Sequence, residues 1–245
     1  MFKDYINGRK WLNSEHKFAG YVKDVVLNIG HNDLTPIITE HNIDNGKVYE
    51  IRDVLAVEQV NCIKHSIASF PRVKVGVDGN ALKYKEGDTV SSTRLSFISE
   101  MLAEYVYKRL GIPQRVFSYN TPTDHENCQW EHVGVSPYIR IVEYCGDGQL
   151  VPHYDGCSKI DSDCKTLQTL LVYMTNNTGG CTQFLEDFSE VATRKEGFES
   201  NVILSIKPEK GKVLLFDQKM LHTTSPLNNE SKSLILTSLC FNKKL

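Results

Sequence analysis

Tyr138-Ile-Arg-Ile-Val-Glu-Tyr144, Leu167-Gln-Thr-Leu-Leu-Val-Tyr-Met-Thr175, Val202-Ile-Leu-Ser-Ile206, Lys212-Val-Leu-Leu-Phe216 and Leu234-Ile-Leu-Thr-Ser-Leu-Cys-Phe241 are five short runs rich in Val, Ile, Leu and aromatic residues. Turn-forming and polar segments separate them, with no helical period in between. Successive parallel strands would need crossover helices, so this order predicts an antiparallel barrel or sandwich from about Arg115 onward. The stretches Ser118 to Gly134 and Glu186 to Asn201 are long and polar, and read as loops that cover a site.

Upstream of the barrel the pattern changes. Ala56, Val57, Val60, Ile63, Ile67 and Phe70 recur at helical spacing until Pro71. Leu95, Ile98, Leu102, Val106 and Leu110 predict a second helix over about Ser92 to Leu110, with Gly111 as its C-cap. Both helices are expected to cover a sheet. Residues 1–46 alternate turn signals (Asn7-Gly8, Gly30-His-Asn-Asp33, Asp44-Asn-Gly46) with short apolar runs such as Val25 to Ile29, and read as a few strands or an irregular flap packed on the core. The remaining 47–245 read as one functional domain, with helical support over 50–112 and the barrel core over 115–245.

The chain of 245 residues is 40% hydrophobic and 24% charged, which fits a soluble globular protein. Twenty-eight basic against thirty acidic residues do not suggest a protein built to grip a phosphate backbone. The start Met1-Phe-Lys-Asp-Tyr5 has no apolar signal core, and no run of about 18 apolar residues occurs. Cysteines 62, 128, 145, 157, 164, 181 and 240 are an odd set without a CxxC pair, so neither a disulfide framework nor a zinc ribbon is expected. A reducing, cytoplasmic location follows as the expectation.

The chemistry-bearing residues are His153 and Asp155 in Pro152-His-Tyr-Asp155, then His222, then Lys232. Two imidazoles and a carboxylate are the set that holds non-haem Fe(II) on one face and leaves the other open. A His-x-Asp triplet alone is weak. With eight histidines and fourteen aspartates it should arise by chance roughly half a time, and His31-Asn-Asp33 is a second copy. The settings differ: the copy at His31 lies between Gly30 and Pro36 in turn-like sequence, whereas His153 sits in strand-like sequence where period-two geometry puts His153 and Asp155 on one side and Tyr154 on the other. A lysine facing inward at 232 needs a carboxylate partner; the alternative is an exposed edge lysine. Arg140 shares a strand face with Val142 and Tyr144 and would meet either a substrate or a structural carboxylate. Trp130, Glu131 and His132, at the end of the long polar segment, are candidates for substrate contact. Gly179-Gly180 reads as a tight turn, since neither the Lys-Ser/Thr nor the helix of a phosphate loop follows.

Three blocks carry a family resemblance. Tyr144-Cys-Gly-Asp-Gly-Gln-Leu-Val-Pro-His-Tyr-Asp155, Leu171-Val-Tyr-Met-Thr-Asn-Asn-Thr-Gly-Gly-Cys-Thr-Gln-Phe184, and Pro208 to Phe216 with His222 and Lys232 resemble, in order, the motifs of the prolyl 4-hydroxylase-like branch of the Fe(II)/2-oxoglutarate dioxygenases. The resemblance implies a double-stranded β-helix, a jelly-roll-like, cupin-like core with flanking helices. It also implies His153, Asp155 and His222 as metal ligands and catalytic centre, Lys232 and Tyr173 on the 5-carboxylate of 2-oxoglutarate, Tyr144 lining that pocket, and Thr182 beside it. The alternative for Tyr173 is plain packing, and for Thr182 the end of a turn. The implied cofactors are Fe(II), 2-oxoglutarate as co-substrate, O2, and ascorbate as reductant. The implied reaction is hydroxylation of a C–H bond with release of succinate and CO2. A peptidyl proline is the first candidate substrate, and a free amino acid or other small metabolite the second; a nucleic acid is disfavoured by charge. Two readings from other classes stay open: a catalytically silent barrel used for binding, and a zinc or manganese cupin-like hydrolase or isomerase.

Overall fold

A computed structural model describes residues 21–22, 25, 27, 29–44, 46–76, 90–113, 116–119, 128–144, 146, 150–186 and 201–244. The expected polar cover at Glu186 to Asn201 and most of the N-terminal flap lie outside the described residues, as do Cys145 and the Gly-Gln pair of the first motif block. The strands are β1 (Tyr21–Val22), β2 (Ile37–Ile43), β3 (Gly46–Arg52), β4 (Val73–Gly76), β5 (Val90–Ile98), β6 (Val116–Tyr119), β7 (Cys128–Val135), β8 (Tyr138–Tyr144), β9 (Cys164–Tyr173), β10 (Thr182–Leu185), β11 (Val202–Ile206), β12 (Val213–Asp217), β13 (His222–Thr224) and β14 (Lys232–Lys243). The helices are α1 (Val57–Ser66) and α2 (Glu100–Arg109).

Two sheets face each other. The larger runs β1-β5-β8-β14-β9-β12-β3-β2, with β4 on β5, β7 on the far half of β14, and β6 on β7. The smaller runs β11-β10-β13, and one antiparallel rung joins His222 of β13 to His153. From β8 the chain visits the large sheet, then the small at His153, the large at β9, the small at β10 and β11, the large at β12, the small at β13 and the large at β14. That alternation is the winding of a double-stranded β-helix.

β9 is buried on both faces at every position, polar Lys165, Thr166, Gln168 and Thr169 included. Leu170 and Val172 join Ile139, Ile141, Val213, Leu215 and Ile235 on the outer face, against Val60 and Ile63 of α1 and Leu102 and Val106 of α2. Leu171 and Tyr173 turn inward to Val142, Tyr144, Phe184, Leu214, Phe216 and Leu234. The helices therefore act as covers, as their single apolar stripes require.

The second helix starts later than its stripe suggests. Residues 90–98 form β5, and the helix begins after Ser99, whose Oγ accepts from the backbone N–H of Leu102 at 3.2 Å. Leu95 fits a helical stripe with Ile98 and Leu102, but equally alternates with Phe97 on a buried strand face, and pairing with β8 decides between them. Gly111 takes φ +60° just past the helix end, as a C-terminal glycine should. The polar stretch read as a loop contains β7, which hydrogen-bonds to the end of β14. His153 lies on a single rung and not on a full strand: the next N–H on the same side, that of Asp155, goes to the Gln218 carbonyl and not to β13. None of the six described cysteines is in a disulfide, and no described helix is long and apolar enough to cross a membrane.

The turn before β12 is closely packed. Gly211 has φ +87°, its N–H donates to the Tyr173 carbonyl at 2.9 Å, and a Cβ there would lie 2.2 Å from the Leu55 carbonyl oxygen. We expect Gly211→Ala to lower the unfolding free energy by about 2 kcal/mol through backbone strain and displacement of Leu55. Denaturant melts check this, and an unchanged midpoint would show that the turn relaxes freely.

Candidate metal centre

Two strands bring the histidines together. His153 N–H donates to the His222 carbonyl at 3.0 Å, and His222 N–H donates back to the His153 carbonyl at 3.1 Å. The imidazoles consequently stand side by side, ring centroids 4.3 Å apart. Asp155 follows two residues later, its N–H held by the Gln218 carbonyl at 3.0 Å. Gln218 is itself buried and bonded through its side chain to Ser238 at 3.2 Å. His153 Nε2 lies 3.8 Å from Asp155 Oδ1, and His222 Nε2 lies 3.6 Å from Asp155 Oδ2. One potential ligand atom from each residue falls within 4.8 Å of the others, the only such His/Cys/Asp/Glu group among the described residues.

The tautomers suit a metal. Each Nδ1 lies 2.9 Å from a backbone carbonyl two residues back, Val151 for His153 and Met220 for His222. A carbonyl only accepts, so Nδ1 carries the proton and each Nε2 lone pair is left facing Asp155. Burial among Phe184 and Phe216, whose centroids lie 6.2 and 4.8 Å from that of His222, pushes the His222 imidazole down to about 4, with Asp155 pulling the other way. It is neutral at physiological pH. Burial alone would raise the Asp155 carboxyl, but His222, the Thr169 hydroxyl, His153 and Arg140 together hold it below its ordinary value. The Thr169 hydroxyl donates to Oδ2 at 2.5 Å. Two neutral imidazoles and one carboxylate are a donor set for a divalent transition metal.

Beside this triad lies a buried amine. Lys232 is 1% exposed at the start of β14, directly across from Tyr144 of β8. Its Nζ lies 5.5 Å from the Tyr173 ring centroid and 5.8 Å from that of Tyr144. Burial pushes the ammonium down to about 7. Tyr173 is fully buried and its hydroxyl shares a 2.7 Å hydrogen bond with Thr182 Oγ1. Burial drives the Tyr173 phenol far up and the Tyr144 phenol up to about 12, so both are neutral hydroxyls. The glycine pair is packing-driven: a Cβ on Gly179 would sit 2.5 Å from the Pro226 carbonyl oxygen, and one on Gly180 3.2 Å from Lys232 Cδ.

The seven candidate residues thus line one interior, linked from His153, Asp155 and His222 through Tyr144 to Lys232, Tyr173 and Thr182. The copy at His31 and Asp33 forms an exposed pair at 2.6 Å, outside the one three-residue ligand group. Trp130 and His132 are buried in β7, where His132 Nδ1 meets the Tyr107 hydroxyl at 2.9 Å and its ring packs on Phe241. They are therefore core residues and not loop contacts, with alternate side chains of a strand turned inward. One contributor escaped the sequence reading: Thr169 shares the inner face with Leu171 and Tyr173, so strict alternation along β9 would have found it.

Residues 139–239, which span the barrel strands and the whole triad, match the family model of the 2OG-Fe(II) oxygenase superfamily. Over those residues the barrel is similar to the 2OG-Fe(II) oxygenases. No curated protein matches the chain. Among solved structures, the chain is similar to the viral collagen prolyl hydroxylase vCPH of Paramecium Bursaria Chlorella virus-1, at 16% identity over 80% of this chain and 96% of that one, TM-score 0.42. It is similar to a prolyl-4-hydroxylase of Pseudomonas putida at 10% identity over 80% and 92%, TM-score 0.42. HygX from Streptomyces hygroscopicus, solved with nickel and 2-oxoglutarate, aligns at 12% identity over 80% and 82%, TM-score 0.44. The superfamily's chemistry uses Fe(II), 2-oxoglutarate and O2, and the donor set found here fits that metal.

Removing the Thr169 hydroxyl tests the support given to Asp155. Thr169→Val should weaken divalent metal binding about tenfold or more, as loss of an outer hydrogen bond to a ligand does, with the fold intact. Chelator competition reads this, and unchanged affinity would show that Asp155 orients itself.

Proposed function

We propose that this oxygenase hydroxylates a C–H bond, with His153, Asp155 and His222 holding Fe(II) and Lys232 holding the 5-carboxylate of 2-oxoglutarate. One observation carries the reading: a buried lysine with no carboxylate in an ion pair with it among the described residues stands next to a facial metal-ligand set. An ammonium so placed is costly until an anion meets it. A bound 2-oxo diacid would satisfy metal and lysine at once, whereas a zinc hydrolase or a silent binding barrel would need neither the lysine nor the Tyr173–Thr182 pair. Fe(II) held there would supply O2 activation, with O2 as the oxidant, one oxygen atom going to the C–H carbon and one to succinate as CO2 leaves. The chain's own part is positioning. Tyr173 and Tyr144 offer neutral hydroxyls at the pocket wall, Thr182 fixes the Tyr173 hydroxyl, and the rings of Phe184 and Phe216 keep water from His222.

The order of the three motif blocks supports a peptidyl proline as the first substrate to test. A free amino acid or other small acid is the second, favoured by Arg140 on the inner face beside Asp155. Residues 47–245 are proposed as the oxygenase domain with residues 1–46 packed on it; β2 pairs with β3 along its full length. A reducing compartment is supported by buried Cys128, Cys164 and Cys240 standing in no disulfide.

Two measurements test the co-substrate assignment. Lys232→Ala should weaken 2-oxoglutarate binding by about two orders of magnitude, the loss expected for truncating a buried charge partner (~3 kcal/mol), while leaving metal affinity within about twofold. Loss of metal instead would remove Lys232 from this role. In the wild type, the free amine titrates near 7 and only the ammonium pairs with a carboxylate, so binding above that pH must take up a proton. The dissociation constant for 2-oxoglutarate should therefore rise about tenfold per pH unit above pH 7. Calorimetry in buffers of different ionisation enthalpy checks the proton uptake; a flat profile from pH 7 to 9 would contradict it.

A further inference from the structure

Two arginines, Arg140 and Arg94, lie on the inner face outside the residues proposed to hold metal and 2-oxoglutarate. Arg140 on β8 lies opposite Leu236 of β14 on one side and Ser96 of β5 on the other, and Arg94 of β5 lies opposite Val142. By strand alternation Arg94, Ser96, Arg140, Val142 and Tyr144 share one face, the face that bears Lys232 and Tyr173 further along the sheet. Arg140 Nε is buried and has no hydrogen-bond partner, and its guanidinium carbon sits 5.9 Å from the Tyr138 ring centroid. Arginine beside arginine is unfavourable. Burial and the charge of Arg140 push Arg94 down to about 10.

Among the described residues no carboxylate forms an ion pair with Arg140. Glu143 of the same strand faces outward, where it takes Arg72 Nε at 3.1 Å and Thr93 Oγ1 at 3.4 Å. The described carboxylate its charge reaches is Asp155, which already accepts from Thr169 and faces both Nε2 atoms. A buried guanidinium nitrogen left without an acceptor costs a desolvation penalty that a bound oxyanion removes. Planar donors in a fork match a carboxylate in two-point fashion. We propose that Arg140, with Arg94 beside it, is the substrate subsite of this oxygenase, and that the substrate presents a carboxylate there, next to the metal. The proposal rests on the oxygenase reading of His153, Asp155, His222 and Lys232.

The test uses the full chain loaded with Ni(II) in place of iron and saturated with 2-oxoglutarate, so that Lys232 is already occupied. Two matched pairs of probes differ only in charge: N-acetyl-L-proline against N-acetyl-L-prolinamide, and N-acetyl-L-glutamic acid α-amide against N-acetyl-L-glutamine α-amide. At least one acid should bind about tenfold or more tighter than its neutral partner. Preference in the first pair assigns a terminal carboxylate, and in the second a side-chain carboxylate. Arg140→Gln should cut the preference to about twofold or less while 2-oxoglutarate affinity stays within about twofold, which also shows that the variant folds. Absence of preference in both pairs, or a preference that survives Arg140→Gln and Arg94→Gln alike, overturns the subsite. Failure of the loaded wild type to bind 2-oxoglutarate sinks the underlying reading instead, and is seen before any probe is added.

Discussion

The site depends on one pair of backbone hydrogen bonds, those exchanged between His153 and His222. They join segments far apart in the chain into a single rung, and a rung fixes relative height and direction of two side chains better than loops can. The same local device then finishes both imidazoles: Nδ1 donates to the carbonyl two residues back, at Val151 and at Met220. Thr223 Oγ1, donating to the Leu150 carbonyl at 2.6 Å, ties the two segments again one residue further on. The ligand set is thus organised by main chain, with only Asp155 needing a side-chain partner, Thr169.

Tyr173 lies between two buried lysines that show how the barrel treats charge. Lys212 Nζ is 5.9 Å from its ring centroid and is paired with Glu50 at 2.7 Å, which in turn meets His41 at 2.7 Å. That amine is neutralised by the fold itself and ties β12 to β3. Lys232, 5.5 Å from the same ring, has no such carboxylate among the described residues. On the proposed reading, the acid that Lys212 takes from the fold is for Lys232 brought by a ligand.

The barrel was largely legible because β8, β9, β11, β12 and β14 are short runs with turn signals between them, and the candidate site residues, which sit in motif blocks, were all named from the sequence. Illegible were features decided by pairing. Leu95 and Ile98 satisfy a helical stripe and a strand alternation alike, and only the β5–β8 register chooses the strand. Trp130 and His132 read as polar-loop residues because Gln129, Glu131 and Gly134 dilute the apolar pattern of β7; their burial comes from α2 and β14, distant in sequence. The isolated rung at His153 likewise could not be told from a strand, since the partner that takes the Asp155 N–H away from β13, the Gln218 carbonyl, is set by the fold.

Charge balance extends the contrast between the two lysines to the whole interior. An Fe(II) ion and a 2-oxoglutarate dianion cancel one another, and Lys232 and Asp155 do the same when both are ionised. The histidines add nothing, being neutral at the pH where they can ligate. What remains on that face is the guanidinium of Arg140, with Arg94 near enough for each to feel the other. A loaded site with residual positive charge in a low-dielectric barrel favours a third, anionic component over a neutral one of the same shape. On the proposed reading, metal and co-substrate leave the interior electrostatically unfinished, and an anionic substrate is the component that would complete it.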